Sequence, residues 1–160
     1  MVLEFKLLLT LITANGTPII LRRCMGATFS HPVDGGLLLS DGYPLFGYSK
    51  TWRGILSGIT GATIVAFLLD FPVLFGVAFA ALSLLGDLLS SFIKRRLKRP
   101  PSSKFIGLDQ IPEALFPSAA GTYWLDYGLS TIAIVTLSFF LISILTPALL
   151  SLLRISPSQK

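Results

Sequence analysis

Apolar residues fall in five runs separated by polar or turn-forming stretches, and a helix needs about 20 of them, at 1.5 Å rise each, to cross a bilayer. The runs cover residues 2–21, 51–69, 72–93, 107–125 and 127–153. This pattern predicts an all-α integral membrane protein of about five transmembrane helices. The first run is expected to break near Asn15-Gly16-Thr17-Pro18, because Pro18 has no backbone donor and Gly16 is flexible, and such a break belongs beside a cavity. The stretch 24–50 contains His31-Pro32, Asp34-Gly35-Gly36, Asp41-Gly42 and Tyr43-Pro44, turn formers that predict a loop or re-entrant segment too polar to span.

Runs two and three are joined by the short turn Asp70-Phe71-Pro72 and predict a helical hairpin. Gly54, Gly58, Gly61 and Ala62 give the second helix a small-residue face that lets helix backbones approach closely. The fourth run is a weak span, since Asp109, Pro112, Glu113 and Pro117 interrupt it. The fifth is long enough to span with tilt, with a kink expected before Pro147.

Composition agrees: 52% of the 160 residues are hydrophobic and 13% charged, with a mean hydropathy of +0.76. The net charge of +5 in so apolar a chain points to topology, lipid head groups or an anionic substrate rather than nucleic acid. Cations concentrate in three places: Arg22, Arg23, Lys50 and Arg53 before and into the second helix; Lys94, Arg95, Arg96, Lys98, Arg99 and Lys104 after the third; Arg154 and Lys160 at the end. Five spans put all three on one side, leaving Lys6 opposite. The positive-inside rule then sets the N-terminus outside and the C-terminus and a polar site in the cytoplasm. The expected organisation is one transmembrane domain over 1–160, with cytoplasmic loops at about 22–50 and 94–106. Met1-Val2-Leu3-Glu4-Phe5-Lys6 has no basic leader and no cleavage motif follows, so the first run reads as a retained helix.

Asp87 sits near the end of an apolar run, where a charge costs about 2.5–3.5 kcal/mol on insertion scales and needs a cation or a wet cavity. Ser83, Asp87, Ser91 and Lys94, spaced by four, four and three, form a polar stripe on one helical face. Gly86 is expected to leave room for a ligand beside Asp87. Asp109 opens the next apolar segment, with Glu113 one turn on; helix capping alone could account for Asp109. Two carboxylates and a cationic cluster suit a metal-bound polyphosphate. One Cys and one His cannot build a zinc site or an internal disulfide. The expected metal is therefore a hard cation held by oxygen, with Mg2+ the default. Ser49-Lys50-Thr51-Trp52-Arg53-Gly54 leads into the second helix, where backbone donors, two hydroxyls and two cations make an anion site. The bland alternative is a basic pair reaching to the membrane surface. Cys24 and His31 read as packing and loop positions.

The chain resembles the CDP-archaeol synthases, membrane cytidylyltransferases related to the CDP-diacylglycerol synthases. The resemblance is carried, in order, by Ala14-Asn15-Gly16-Thr17-Pro18, Pro32-Val33-Asp34 with Asp41-Gly42, Phe46-Gly47 with Ser49-Lys50-Thr51-Trp52-Arg53-Gly54, Gly86-Asp87-Leu88 with Ser91-Phe92-Ile93-Lys94-Arg95-Arg96, and Gly107-Leu108-Asp109-Gln110-Ile111-Pro112. It implies transfer of CMP from CTP to an isoprenoid ether-lipid phosphate, 2,3-bis-O-(geranylgeranyl)-sn-glycerol 1-phosphate, with release of pyrophosphate. Asp87 and Asp109 would carry Mg2+, with Lys94 beside them in the catalytic set. Ser49, Lys50, Thr51, Arg53, Ser91, Lys94, Arg95 and Arg96 would hold the substrates, and Asn15 cytosine or a phosphate. Ester-linked phosphatidate is the alternative substrate. A small transporter is the rival from another class, and no internal repeat supports it. A CDP-alcohol phosphotransferase would space several acids along one helix, whereas Asp87 stands alone on its own.

Overall fold

In the computed structural model, which describes residues 2–152, five helices follow one another: α1 (Val2–Met25), α2 (Trp52–Leu68), α3 (Val73–Arg96), α4 (Gln110–Gly121) and α5 (Leu129–Leu152). Among the described residues there is no strand, only isolated bridges pairing Pro32 with Thr51 and Leu38 with Pro44. Three helices, α1, α3 and α5, are long and apolar enough to cross a membrane, and α2 is a shorter apolar helix of 17 residues. The chain is thus a multi-pass, all-helical membrane protein. Arg154, Lys160 and the end of the fifth apolar run lie outside the described residues.

Two expectations need correction. The fourth run is helical over only part of its length: α4 has 12 residues, about 18 Å of helix, although the chain still passes from the basic end at Asp109 to the end where Thr131 meets Glu4. Its polar start at Asp109 and Glu113 and its end at Gly121 leave too short an apolar stretch to go further. Nor is the first helix broken, since α1 runs unbroken through Pro18. Pro18 leaves the Ala14 carbonyl without its usual donor, and α2 closes over that spot: a Cβ on Gly58 would lie 2.6 Å from the Ala14 oxygen. The neighbouring polar side chains are absorbed by the helix itself. Thr13 donates to the Leu9 carbonyl at 2.8 Å and Thr17 to that of Thr13 at 2.7 Å.

Close packing through small residues joins the first three helices, as the Gly58, Gly61 and Ala62 spacing suggests. A Cβ on Gly61 would stand 2.7 Å from the Thr17 hydroxyl, and one on Gly76 would stand 2.9 Å from the Ala66 methyl. The main core gathers Leu7 and Leu11 of α1, Ala66 of α2, Phe75 and Phe79 of α3, Ala114 of α4, and Val135 and Phe139 of α5. Phe71, Phe75 and Phe79 pack ring on ring at 4.8 and 5.2 Å, a tilted stack that favours aromatic contact. At this end Lys6 donates to the Leu69 carbonyl at 2.7 Å and closes the α2–α3 turn. The opposite end carries the long loop 26–51 and the connector 97–109, and there the charged residues meet.

Candidate active site

Lys50, the last residue before the helix cap Thr51, reaches across to α3 and places Nζ 2.6 and 2.5 Å from the two oxygens of Asp87. The pair is only 22% and 24% exposed, so each charge depends on the other. The counter-ion of Asp87 therefore comes from the entrance to α2. Lys94, on the same helix as Asp87, is engaged elsewhere.

The space over Gly86 itself is filled by α4, so the room beside Asp87 lies in the cavity it shares with Lys50 rather than over the glycine. A Cβ on Gly86 would collide with the Pro112 carbonyl and lie 2.7 Å from the Glu113 nitrogen. Ser90 ties the same seam, donating to the Leu108 carbonyl at 2.5 Å. This approach brings the Glu113 carboxyl within hydrogen-bonding reach of Asp87. Glu113 is the residue that sequence reasoning left out of the site. Its spacing of four from Asp109 was visible, but only the α3–α4 contact shows which acid meets Asp87.

Asp109 has partners of its own. One of its oxygens binds Lys94 at 2.6 Å, and the other accepts from the Phe105 N–H at 2.8 Å. It makes no side-chain cap on α4, so capping is not its role; it closes the 105–109 turn instead. Lys94 also donates to the Ser103 carbonyl at 2.9 Å. Arg95, 1% exposed, reaches the Pro100 carbonyl at 2.8 Å, with Nε and Nη1 lacking a partner. Arg96 holds Asp41 at 2.5 Å and the carbonyls of Tyr43 and Pro44 at 3.2 and 2.7 Å. The cationic run thus fastens the loop and connector over the helix ends. Ser91 is buried at 3% exposure beneath them.

Loop 26–51 is itself built around Asp34, which accepts from the N–H groups of Gly36, Phe46 and Gly47 at 3.1, 2.8 and 2.8 Å. Partial burial pushes the Asp34 carboxyl up, but the N–H groups of Gly47, Phe46 and Gly36 outweigh it and hold the group below its ordinary value near 3.8. The Tyr43 N–H, helped by Arg96, likewise lowers Asp41. Arg53 turns back to the loop, donating to the carbonyls of Thr28 and Gly26. At the start of α2 the Trp52 N–H goes to the His31 carbonyl, the Gly54 N–H to the Thr51 hydroxyl and the Ile55 N–H to the Thr51 carbonyl. Two of the donors expected to face an anion, the N–H groups of Trp52 and Gly54, are therefore already used. Asn15 spends its amide donors on Ser83 at 2.8 Å and the Leu11 carbonyl at 3.1 Å, which leaves its oxygen to accept from an amino group rather than to bind a phosphate.

Two adjoining cavities open here. One, about 520 Å³, has Lys50, Asp87 and Glu113 at its charged end, with Asn15 and Ser49, and apolar walls from α1 and α5. The other, about 750 Å³, is lined by Arg22, Arg23, Ser30, Tyr48, Ser49 and Arg53. Arg22, Ser49, Thr51 and Gly54 line both. Asp109, Lys94 and Arg96 line neither.

Residues 2–155 match the CarS-like CDP-archaeol synthase family model. Among curated relatives, the CDP-archaeol synthase of Pyrococcus furiosus is 43% identical over 109 residues, 61% of this chain and 60% of its own length. That of Pyrobaculum arsenaticum is 33% identical over 127 residues, 76% of each. The chain spans about three-fifths of the length of the Pyrococcus relatives it matches. A solved structure of an intramembrane enzyme for archaeal membrane lipid biosynthesis superimposes with a TM-score of 0.77 at 26% identity, covering 89% of this chain and 91% of that one.

Proposed function

Because the chain belongs to the CDP-archaeol synthase family, we propose that it transfers CMP from CTP to an isoprenoid ether-lipid phosphate, yielding a CDP-activated lipid and pyrophosphate. The observation that carries this reading is the pair of joined cavities. One is polar and cationic, suited to a triphosphate; the other runs from the Lys50–Asp87 pair out along apolar helix faces, suited to a lipid phosphate. A phosphate oxygen of the lipid attacks the α-phosphorus of CTP, the bond from that phosphorus to the bridging oxygen of the β-phosphate breaks, and pyrophosphate leaves with the electron pair. A phosphate monoester is already ionised near neutral pH, so the attack needs no strong general base.

Arg22, on the shared wall, and Lys50 stabilise charge that builds on the transferring phosphate. The Asn15 oxygen is suited to the cytosine amino group. Asp87 and Glu113 fit a hard divalent cation, as two facing oxygen donors beside a single lysine. Among the described residues no group of three or more His, Cys, Asp or Glu comes together. Two protein ligands at most, with water and substrate phosphate completing the shell, is the usual arrangement for magnesium. Bound there, Mg2+ would neutralise charge on the triphosphate. The basic end of the bundle faces the cytoplasm, where CTP is found.

Purified protein incubated with labelled CTP, Mg2+ and either ether-linked or ester-linked lipid phosphates tests the reading. Label is expected in the ether lipid, and Asp87→Asn is expected to stay folded in detergent with turnover abolished. Label only in the ester lipid would make the protein a CDP-diacylglycerol synthase. No transfer to either, or wild-type turnover in Asp87→Asn, would overturn the proposal.

A further inference from the structure

We propose that the seam between α1 and α5 is the lateral port through which the apolar chain of the lipid phosphate reaches the charged end of the cavity. This rests on the reaction proposed above and adds where the chain lies. The cavity walls beyond Lys50 and Asp87 are Ile12 and Ile19 of α1 and Phe139, Ile142 and Pro147 of α5. Ile19 is 58% exposed and Ile142 38%, whereas Phe139 is buried. One surface therefore faces the bilayer at its rim and the cavity at its floor. A lipid lying in it keeps its chain against apolar side chains throughout, while its phosphate meets Arg22 and Lys50.

Three other seams offer no such path. α1 meets α2 through Gly58 and Gly61, α2 meets α3 through Gly76, and α3 meets α4 through Gly86, each too close for a methyl group. The α1–α5 seam is closed only in its far half. There Thr131 donates to Glu4 at 3.2 Å, and Leu7, Leu11, Val135 and Phe139 fill the gap. Beyond Phe139 the cavity lies between the two helices, lined by Ile19 of α1 and by Ile142 and Pro147 of α5.

Ile142→Trp places a ring in the port without touching the second, polar cavity. The KM for a long-chain ether-lipid phosphate is expected to rise roughly tenfold or more, the loss when two methylenes are kept from an apolar site. The KM for CTP is expected to stay within about twofold. A second measurement uses Ile142→Cys in a Cys24→Ser background, with the rate of modification by a thiol reagent as readout. The long-chain lipid phosphate should protect Cys at this position, and a phosphate-free glycerol ether of the same chain should not. An unchanged lipid KM in folded Ile142→Trp would overturn the port, as would equal protection by the phosphate-free lipid, which would make the groove a seat for bulk membrane lipid only. Absence of turnover in the wild type would count against the proposed reaction, while the protection experiment would still decide the port.

Discussion

Gly86→Ala is the most informative single change. The added Cβ would lie 2.7 Å from the Glu113 nitrogen and nearer still to the Pro112 carbonyl, where ordinary contact begins at 3.4 Å, so α4 must retreat by more than about 0.7 Å. The obstacles are the Pro112 carbonyl and the Glu113 nitrogen, both backbone, so no rotamer change relieves the clash. Alanine favours the helix over glycine by about 1 kcal/mol, and overpacking costs about 1–3 kcal/mol. The net expectation is a loss of up to about 2 kcal/mol, small beside the displacement of Glu113 from Asp87. A shift approaching 1 Å at reacting groups costs on the order of 100-fold in rate. Gly16→Ala serves as the stability control, since its Cβ would meet nothing within 4 Å and should raise stability by up to about 1 kcal/mol. Thermal unfolding in detergent, followed by tryptophan fluorescence, and CMP transfer would be measured on both. If Gly86→Ala matched Gly16→Ala in stability and kept turnover within about twofold of wild type, the idea that a bare backbone at position 86 sets the carboxylate pair would be refuted.

Lys50 and Arg53 should separate cleanly in a CTP titration. Lys50→Gln leaves Asp87 without its cation and is expected to weaken CTP by about 10- to 150-fold, the worth of a charged hydrogen bond. Arg53→Gln should weaken CTP by less than Lys50→Gln, since its guanidinium is already held by the carbonyls of Thr28 and Gly26, and should expose residues 26–30 to limited proteolysis. Asp34 is lowered in the folded loop, so its stabilisation is complete above its unfolded value near 3.8 and is lost as pH falls through the depressed folded value. Amide exchange at Phe46 and Gly47 should accordingly accelerate below about pH 4 and not between pH 5 and 8, and Asp34→Asn should show the acid behaviour at neutral pH.

Much of this fold was legible because apolar runs and small-residue spacing are local. Gly58 and Gly61 announced a close helix contact, and the turn formers of 26–51 announced a loop. Pro18 misled because a helix can carry a proline when a neighbouring backbone covers the freed carbonyl, and that neighbour lies 40 residues on at Gly58. The fourth run misled because its length counted residues flanking α4 at both ends. At the site, Asp87 and Lys50 were both legible as charges that needed partners, but their pairing spans 37 positions. The cationic run looked like one phosphate cradle because sequence shows charge and not direction. In the fold Arg95 turns to a carbonyl, Arg96 to Asp41 and two carbonyls, and Lys94 to Asp109, while Glu113 reaches Asp87.

The Lys50–Asp87 bond also bears on how the chain enters the membrane. Synthesis runs from the N-terminus, so Lys50 is already waiting at the head of α2 when Asp87 is made. The acid can be neutralised as soon as α3 inserts, which removes most of the few kcal/mol that a lone carboxylate would add to that step. Glu113 arrives later, docking against a charge that is already matched. Reversing that order, by moving Lys50's charge to the connector after α3, would leave α3 to partition with an unmatched acid and would favour its slipping toward water before the bundle closed.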